Sequence, residues 1–185
     1  MTSSRESVYE NKMERTVVQT KPKTSEALME IELGNCRYVR VTPWKDSLRI
    51  DIREWENGKP TKIGVSLTLS RWLTFCDAIE ELEKALRSGK IDVRCHLGGN
   101  VFATVSNGYR CVNIRQFFKP ESQELTATRK GIALRLCEWN TLVEYLPSIN
   151  FAIPNIDTIL PCHMQPDHSS VQGALMCSEC NPNGF

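Results

Sequence analysis

The chain has 185 residues, 41% of them hydrophobic, and a formal net charge of +1. That length suits one ordinary domain or two small ones, and that hydrophobic share excludes a wholly disordered chain. Near-neutrality excludes nucleic-acid binding by bulk charge, so any such face must arise from local sorting of basic side chains. Lys and Arg outnumber Asp and Glu by 11 to 9 over residues 31–90 and by 7 to 6 over 91–157, while residues 158–185 hold no Lys or Arg. The N-terminus shows no apolar signal segment, and no apolar run approaches the roughly 18 residues of a membrane span. A reducing compartment is therefore expected, with the eight cysteines serving as core fillers, metal ligands or surface thiols rather than disulfides.

Residues 1–28 are polar and mixed in charge, which predicts a disordered arm with at most a marginal helix around Ser7–Val17. From Met29 the texture changes. Arg37–Val41 and Leu48–Arg53 alternate polar and apolar residues in the manner of strands, with a turn expected at Pro43–Ser47. A second turn is expected at Asn57–Pro60, then a short strand at Gly64–Leu67. Trp72, Phe75, Cys76, Ile79, Leu82 and Leu86 follow helical spacing, with Ser70 as expected N-cap and Gly89 as stop. The unit reads strand, strand, strand, helix.

The order then repeats. Leu97-Gly98 answers Leu33-Gly34, Asn113–Phe117 answers Asp51–Trp55, Gly131–Leu134 answers Gly64–Leu67, and Trp139 answers Trp72. The offset drifts from 64 to 62 to 67 residues, and the drifts fall in turns, where insertions are tolerated. Four matches in order argue for duplication. In the second helix Pro147 is expected to kink or end the apolar stripe of Trp139, Leu142, Val143 and Leu146. Asn150–Leu160 is expected to cover the core as irregular chain or a short helix. The organisation is thus an arm (1–28), a first unit (29–90), a second unit (91–157) and a Cys/His tail (158–185). The class is α+β.

The run Arg37-Tyr38-Val39, Ile50–Trp55, Gly64–Leu67 and Trp72 resembles the C-terminal domain of the positive cofactor 4 transcriptional coactivator family. Arg129–Leu134 with Trp139 resembles it a second time. The resemblance implies two curved antiparallel sheets, each followed by a helix. In one chain these should form an intrachain pseudo-dimer, because each apolar helix face needs a partner. It also implies binding of single-stranded or melted DNA, a nuclear location and a role as a transcription regulator beside transcription-machinery proteins. No membrane partner is implied, and further self-association stays open. Such binding needs cations along the phosphates and flat side chains against the bases. The family's positions fall on Arg37, Trp44, Lys45, Arg53, Lys59 and Lys62, and the polar face adds Arg49 and the ring of Trp55. In the second unit Val101 answers Arg37, and Tyr109, Arg110, Arg115, Phe118, Arg129 and Lys130 stay usable. The first unit is therefore expected to bind more strongly.

Each of these residues has a plainer reading. Arginine alternating with apolar residues often marks only a solvated strand face, and Asp51 pairs naturally with its neighbours. Trp72 and Trp139 belong to the core, whereas a turn Trp such as Trp44 either stacks on a ligand or caps the sheet. Cys36, Cys76, Cys95, Cys111 and Cys137 are read as small core or surface residues and His96 as structural. No nucleophile–base pair or carboxylate cluster supports an enzyme. A non-catalytic protein-interaction module that kept the fold but lost strong DNA binding is the alternative. In the tail, Cys177-Ser178-Glu179-Cys180 has knuckle spacing, and Cys162 and His168 complete a tetrahedral set for Zn²⁺, with His163 as a substitute and a metal-free flexible tail as the rival.

Overall fold

A computed structural model describes residues 27–121, 124–168 and 170–184. Of the arm expected over residues 1–28, residues 1–26 with the short helix lie outside the described residues, while the Leu28 amide bonds the Val41 carbonyl at 2.8 Å. The first unit comprises β1 (Met29–Gly34), β2 (Arg37–Trp44), β3 (Ser47–Glu56), β4 (Lys59–Thr68) and α1 (Leu69–Ser88). The second repeats it as β5 (Val93–Gly98), β6 (Val101–Val105), β7 (Cys111–Phe118), β8 (Thr126–Arg135) and α2 (Leu136–Phe151). Each unit is a four-stranded antiparallel meander followed by a helix. Beyond α2 the described residues add 3-10 turns at Ile156–Thr158, Cys162–Met164 and Pro166–His168, and α3 (Val171–Met176).

Each unit therefore has one strand more than the sequence reading gave it. In β1 the apolar Ile31 and Leu33 face the core while Glu30 and Glu32 face outward. Charged side chains are the usual protection of an edge strand. The hairpins are also tighter than expected. Only Lys45-Asp46 and Asn57-Gly58 separate the first unit's paired strands, so β4 starts at Lys59 and not at Gly64.

The helices keep their expected apolar stripe with different ends. Thr68, not Ser70, caps α1, its hydroxyl accepting from the Arg71 amide. Gly89 ends it in the left-handed region, its N–H bonded to the Ala85 carbonyl. Pro147 does not terminate α2. Leu146, Ile149 and Ile153 pack into the core around it, and that burial holds the last turn despite the lost backbone bond. Asn150 thus lies in α2, and a 3-10 turn at Ile156–Thr158 follows.

The two units share one core. α1 packs on β5 and β6 of the second unit as well as on its own β4, while α2 packs on β1 of the first unit and on its own β8. Trp72 and Trp139 are fully buried. Phe75 lies 5.5 Å from the Trp72 ring and 5.9 Å, edge-on, from the Trp139 ring. The Trp72 indole donates to Asn150 across the helices at 2.7 Å. β4 lies against β8, so the sheets meet along their last strands. The chain is an intrachain pseudo-dimer.

Candidate nucleic-acid interface and metal centre

Alternation along the strands leaves the face opposite the core carrying a matched row in each sheet. In the first sheet Glu32, Tyr38, Arg53 and Gly64 stand side by side across the four strands. In the second, His96, Phe102, Arg115 and Gly131 do. The glycines explain the arginine poses. A Cβ built on Gly64 would lie 2.8 Å from Arg53 Cβ and 2.7 Å from the Ile52 carbonyl, and one on Gly131 would meet Arg115 and Ile114 at the same distances. Each arginine lies over a backbone that has no side chain.

The arginines are then aimed by equivalent bonds. Arg53 donates to the Thr61 carbonyl at 2.8 Å, and Arg115 to that of Thr128 at 2.7 Å. Thr61 and Thr128 donate their hydroxyls to the carbonyls of Glu54 and Gln116. The last partner differs: Arg53 pairs with Asp51 at 3.0 Å, whereas Arg115 meets the amide oxygen of Asn113 at 3.2 Å. One guanidinium has a carboxylate beside it and the other a neutral amide.

That contrast extends over both sheets. Strands β1–β4 carry Arg37, Arg40, Arg49, Arg53, Lys59 and Lys62 against Glu30, Glu32, Asp51, Glu54 and Glu56. Strands β5–β8 carry Arg94, Arg115, Arg129, Lys130 and Arg135 and no acidic residue. Arg40 pairs with Glu30 at 2.7 Å, and its guanidinium lies 4.5 Å from the Trp55 ring centre. Arg94 is exposed and lies 5.9 Å and 5.3 Å from the Phe102 and Phe117 rings. The Phe102 ring also sits 4.9 Å from His96 and 5.2 Å from Phe117.

The residues singled out in the sequence divide in two. Trp44 is 57% exposed at the β2–β3 hairpin beside Lys45, whose φ of 53° places it in the left-handed region. Tyr109, 67% exposed, and Arg110 occupy the corresponding hairpin of the second unit. Lys59, Lys62, Arg129, Lys130 and Phe118 are also exposed, and Arg49 is half-buried. Arg37 is placed otherwise. Its guanidinium donates to Glu138 at 2.9 Å and to the Ala133 carbonyl, and lies 3.5 Å from Glu54. Glu138 is fully buried and also accepts from Asn35 and from the Arg135 backbone, both at 2.8 Å. Arg37 therefore ties β2 to α2 across the junction of the units.

Sequence reasoning passed over Arg94, Phe102 and Phe117. Their signal was the same strand alternation, which sets Phe117 on the face of Arg115 two residues before it, obscured because β5 and β6 were not recognised as strands. His96 is structural as expected, its Nε2 bonded to the Gly99 carbonyl.

The tail brings Cys162, His168, Cys177 and Cys180 together, with all four ligand atoms within 4.8 Å of one another. The Cys162 and Cys177 sulfurs are 3.7 Å apart, and His168 Nδ1 lies 3.7 Å from Cys162 Sγ and 3.4 Å from Cys180 Sγ. A disulfide needs about 2.05 Å, so these are free thiols. Backbone amides of Cys180 and Glu179 point at Cys177 and lower its pKa, while burial pushes the Cys162 thiol up to about 12. The cluster could bind a metal ion. The Asp167 carboxylate lies 3.9 Å from His168 Nε2, on the far side of the ring. His163 instead lines the neighbouring pocket with Ser70, Thr74 and His96. Of the remaining thiols, burial raises Cys76 to about 12, Cys95 to about 11 and Cys111 above its ordinary value, whereas Cys36 and Cys137 are exposed at the surface.

The model of the family described as Transcriptional Coactivator p15 (PC4) matches residues 31–78 and 95–145, more than half of the chain, one segment in each unit. The chain belongs to the coactivator p15 family. A curated relative, the RNA polymerase II transcriptional coactivator KIWI of Arabidopsis thaliana, is 36% identical over 66 residues. That match covers 34% of this chain and 62% of the relative. No solved structure gives a significant match. The p15 family is a transcriptional coactivator family and a non-catalytic one. Both matched segments run from the meander into its helix, so the family pattern is present twice here.

Proposed function

We propose that the chain binds single-stranded or melted DNA across the outer faces and hairpin tips of its two sheets, as a nuclear transcriptional coactivator. The observation that carries this reading is the repeated row of aromatic, arginine and glycine, Tyr38–Arg53–Gly64 and Phe102–Arg115–Gly131. It places a held cation beside a ring at equivalent points of both sheets. Trp44 with Lys45 and Tyr109 with Arg110 supply the exposed rings and charges at the hairpins, and Arg49, Lys59, Lys62, Arg129 and Lys130 extend the basic path. Arg37 acts in this reading as a strut between units. DNA and transcription-machinery proteins are the partners implied by family membership.

The test is a fluorescence-anisotropy titration comparing single-stranded, bubble and duplex oligonucleotides at several salt concentrations. Single-stranded and bubble DNA should bind more tightly than duplex, with affinity falling as salt rises because phosphate contacts release counterions. Trp44→Ala combined with Arg53→Ala should weaken binding, and unchanged affinity would remove the first sheet from the site. A second reading, a protein-interaction module without strong DNA affinity, draws support from the first sheet, where Arg37, Arg40 and Arg53 are each paired with an acid. Absence of single-strand binding at low salt would favour it.

We also propose zinc as the metal of the tail cluster. Tetrahedral Zn²⁺ with bonds of about 2.3 Å to sulfur and 2.0–2.1 Å to nitrogen sets S···S edges near 3.8 Å and S···N edges near 3.6 Å. Three of the six separations, at 3.4–3.7 Å, lie close to those edges, and all six are within 4.8 Å. Three thiolates and one imidazole are a borderline-soft donor set suited to zinc in a closed structural site.

A further inference from the structure

The two long helices begin at equivalent places and are completed differently. The third residue of α2 is Glu138, an acid at the positive end of a helix dipole, clasped by Asn35 and Arg37 from the β1–β2 turn and β2 of the other unit. The third residue of α1 is Arg71, a cation where the dipole disfavours one, and the first turn of α1 holds no acid. The β5–β6 turn facing it offers Gly98 and Gly99 where the first unit has Gly34 and Asn35. The second unit has no side chain there to answer Arg71.

The tail supplies the answer. Glu179 takes Arg71 in a two-pronged pair, 2.5 Å to Nε and 2.8 Å to Nη2. Its own carbonyl accepts the Gly99 amide at 2.7 Å. Side chains at Gly98 and Gly99 would intrude on Glu179 and Arg71. Nearby, the Cys162 amide donates to the Ser70 hydroxyl at 2.8 Å, and Asn183 bonds Asn100 at 3.0 Å. Glu179 lies between Cys177 and Cys180, so its position is set by the Cys/His cluster.

We propose that metal bound by Cys162, His168, Cys177 and Cys180 is a clamp between the units, holding Glu179 where it joins α1 of the first unit to the β5–β6 turn of the second. The proposal rests on reading the cluster as a zinc site. Ile159 packs on the core and Pro161 is buried, but no described residue from 162 to 184 is buried, those of α3 included, so apolar burial does not hold the Cys/His segment in place. A partly exposed ion pair is weak by itself and must offset the entropy of ordering the tail. Metal binding removes that entropy beforehand, because it closes the loop from Cys162 to Cys180 and releases the thiol protons to solvent. Metal affinity and docking are then linked, and each strengthens the other. The clamp has the reverse polarity of the Arg37–Glu138 pair: here the helix carries the cation and the opposing segment the acid.

The test uses the full chain loaded with Zn²⁺ and then treated with a strong chelator. One zinc per chain is expected. Amide exchange at residues 70–74 and 98–100 should accelerate on chelation and slow again when Zn²⁺ is restored. Glu179→Gln keeps all four ligands and should weaken metal affinity about two- to fivefold, the linked loss of one partly exposed ion pair. Arg71→Glu combined with Glu179→Arg should recover much of that loss. The single variant decides the matter even if chelation unfolds the chain. Bound zinc with unchanged exchange at both segments, or full affinity in Glu179→Gln, would overturn the clamp and leave the zinc site standing. No bound zinc, together with no thiolate charge-transfer band on Co²⁺ titration, would overturn both.

Discussion

The first sheet mixes six basic residues with five acidic ones, while the second has five basic residues and no acid. Counting over whole units hid this, because the second unit's acids lie in its loops and α2 and in the chain that follows. The expectation that the first unit binds more strongly rested on residue identity: it has Trp44 and the larger set of matching positions. Charge pairing argues the other way. Arg53 carries an acid on its guanidinium where Arg115 carries an amide. The first sheet offers the larger exposed ring and the second the larger unspent charge. Exposed rings and unpaired cations are thus distributed unequally over two copies of one scaffold.

The largest effect that would break this symmetry concerns the junctions. Glu138→Ala leaves Arg37 facing a buried void, and breaking a buried pair should cost about 3 kcal/mol. Urea unfolding measures it, and a loss as small as that of a surface pair would mean the junction is solvated. Next come the glycines beneath the arginines. Gly64→Ala and Gly131→Ala should each destabilise by about 1–3 kcal/mol through overpacking, by similar amounts because their surroundings match. Clearly unequal melting shifts would show that the two rows are not equivalent.

The hairpin rings separate the units on the binding side. Trp44→Ala should cost about 1–3 kcal/mol in single-strand affinity if one base stacks there, and Tyr109→Ala no more than that. Equal binding by wild type and Trp44→Ala would reassign the indole to capping the sheet. The smallest effect is the most direct. Asp51→Asn gives the first sheet the second sheet's chemistry and should raise affinity by less than about 1 kcal/mol, with a steeper salt dependence. A decrease would mean that Asp51 positions Arg53 for binding.

Much of this was legible in the chain. The repeat, both core tryptophans, Gly89 as helix stop and the clustering of Cys162, His168, Cys177 and Cys180 followed from residue type and spacing. The first strand of each unit does not stand out although Glu30–Leu33 alternates cleanly, because a four-residue alternation sits at the lower limit of a strand signal. Pro147 misled because local propensity forbids what Ile149 and Ile153 enforce by burial. The place of Arg37 was not legible: its partner Glu138 lies 101 residues away, and nothing in a strand's alternation reveals which acid a different unit will press against it. The same holds for Arg71 and Glu179, 108 residues apart.

The exchange of helices, with α1 lying over the second unit's strands and α2 over the first unit's, has a further consequence. In a pair of identical subunits every contact occurs twice, so any substitution at the interface is felt at both places and must suit itself. Joining the copies in one chain lifts that constraint. One end of the interface can keep its acid on the helix while the other changes to a cation and recruits a new segment to satisfy it. Fusion makes the two ends independently variable, and the uneven sheets and the tail fastened at one end are what that freedom permits.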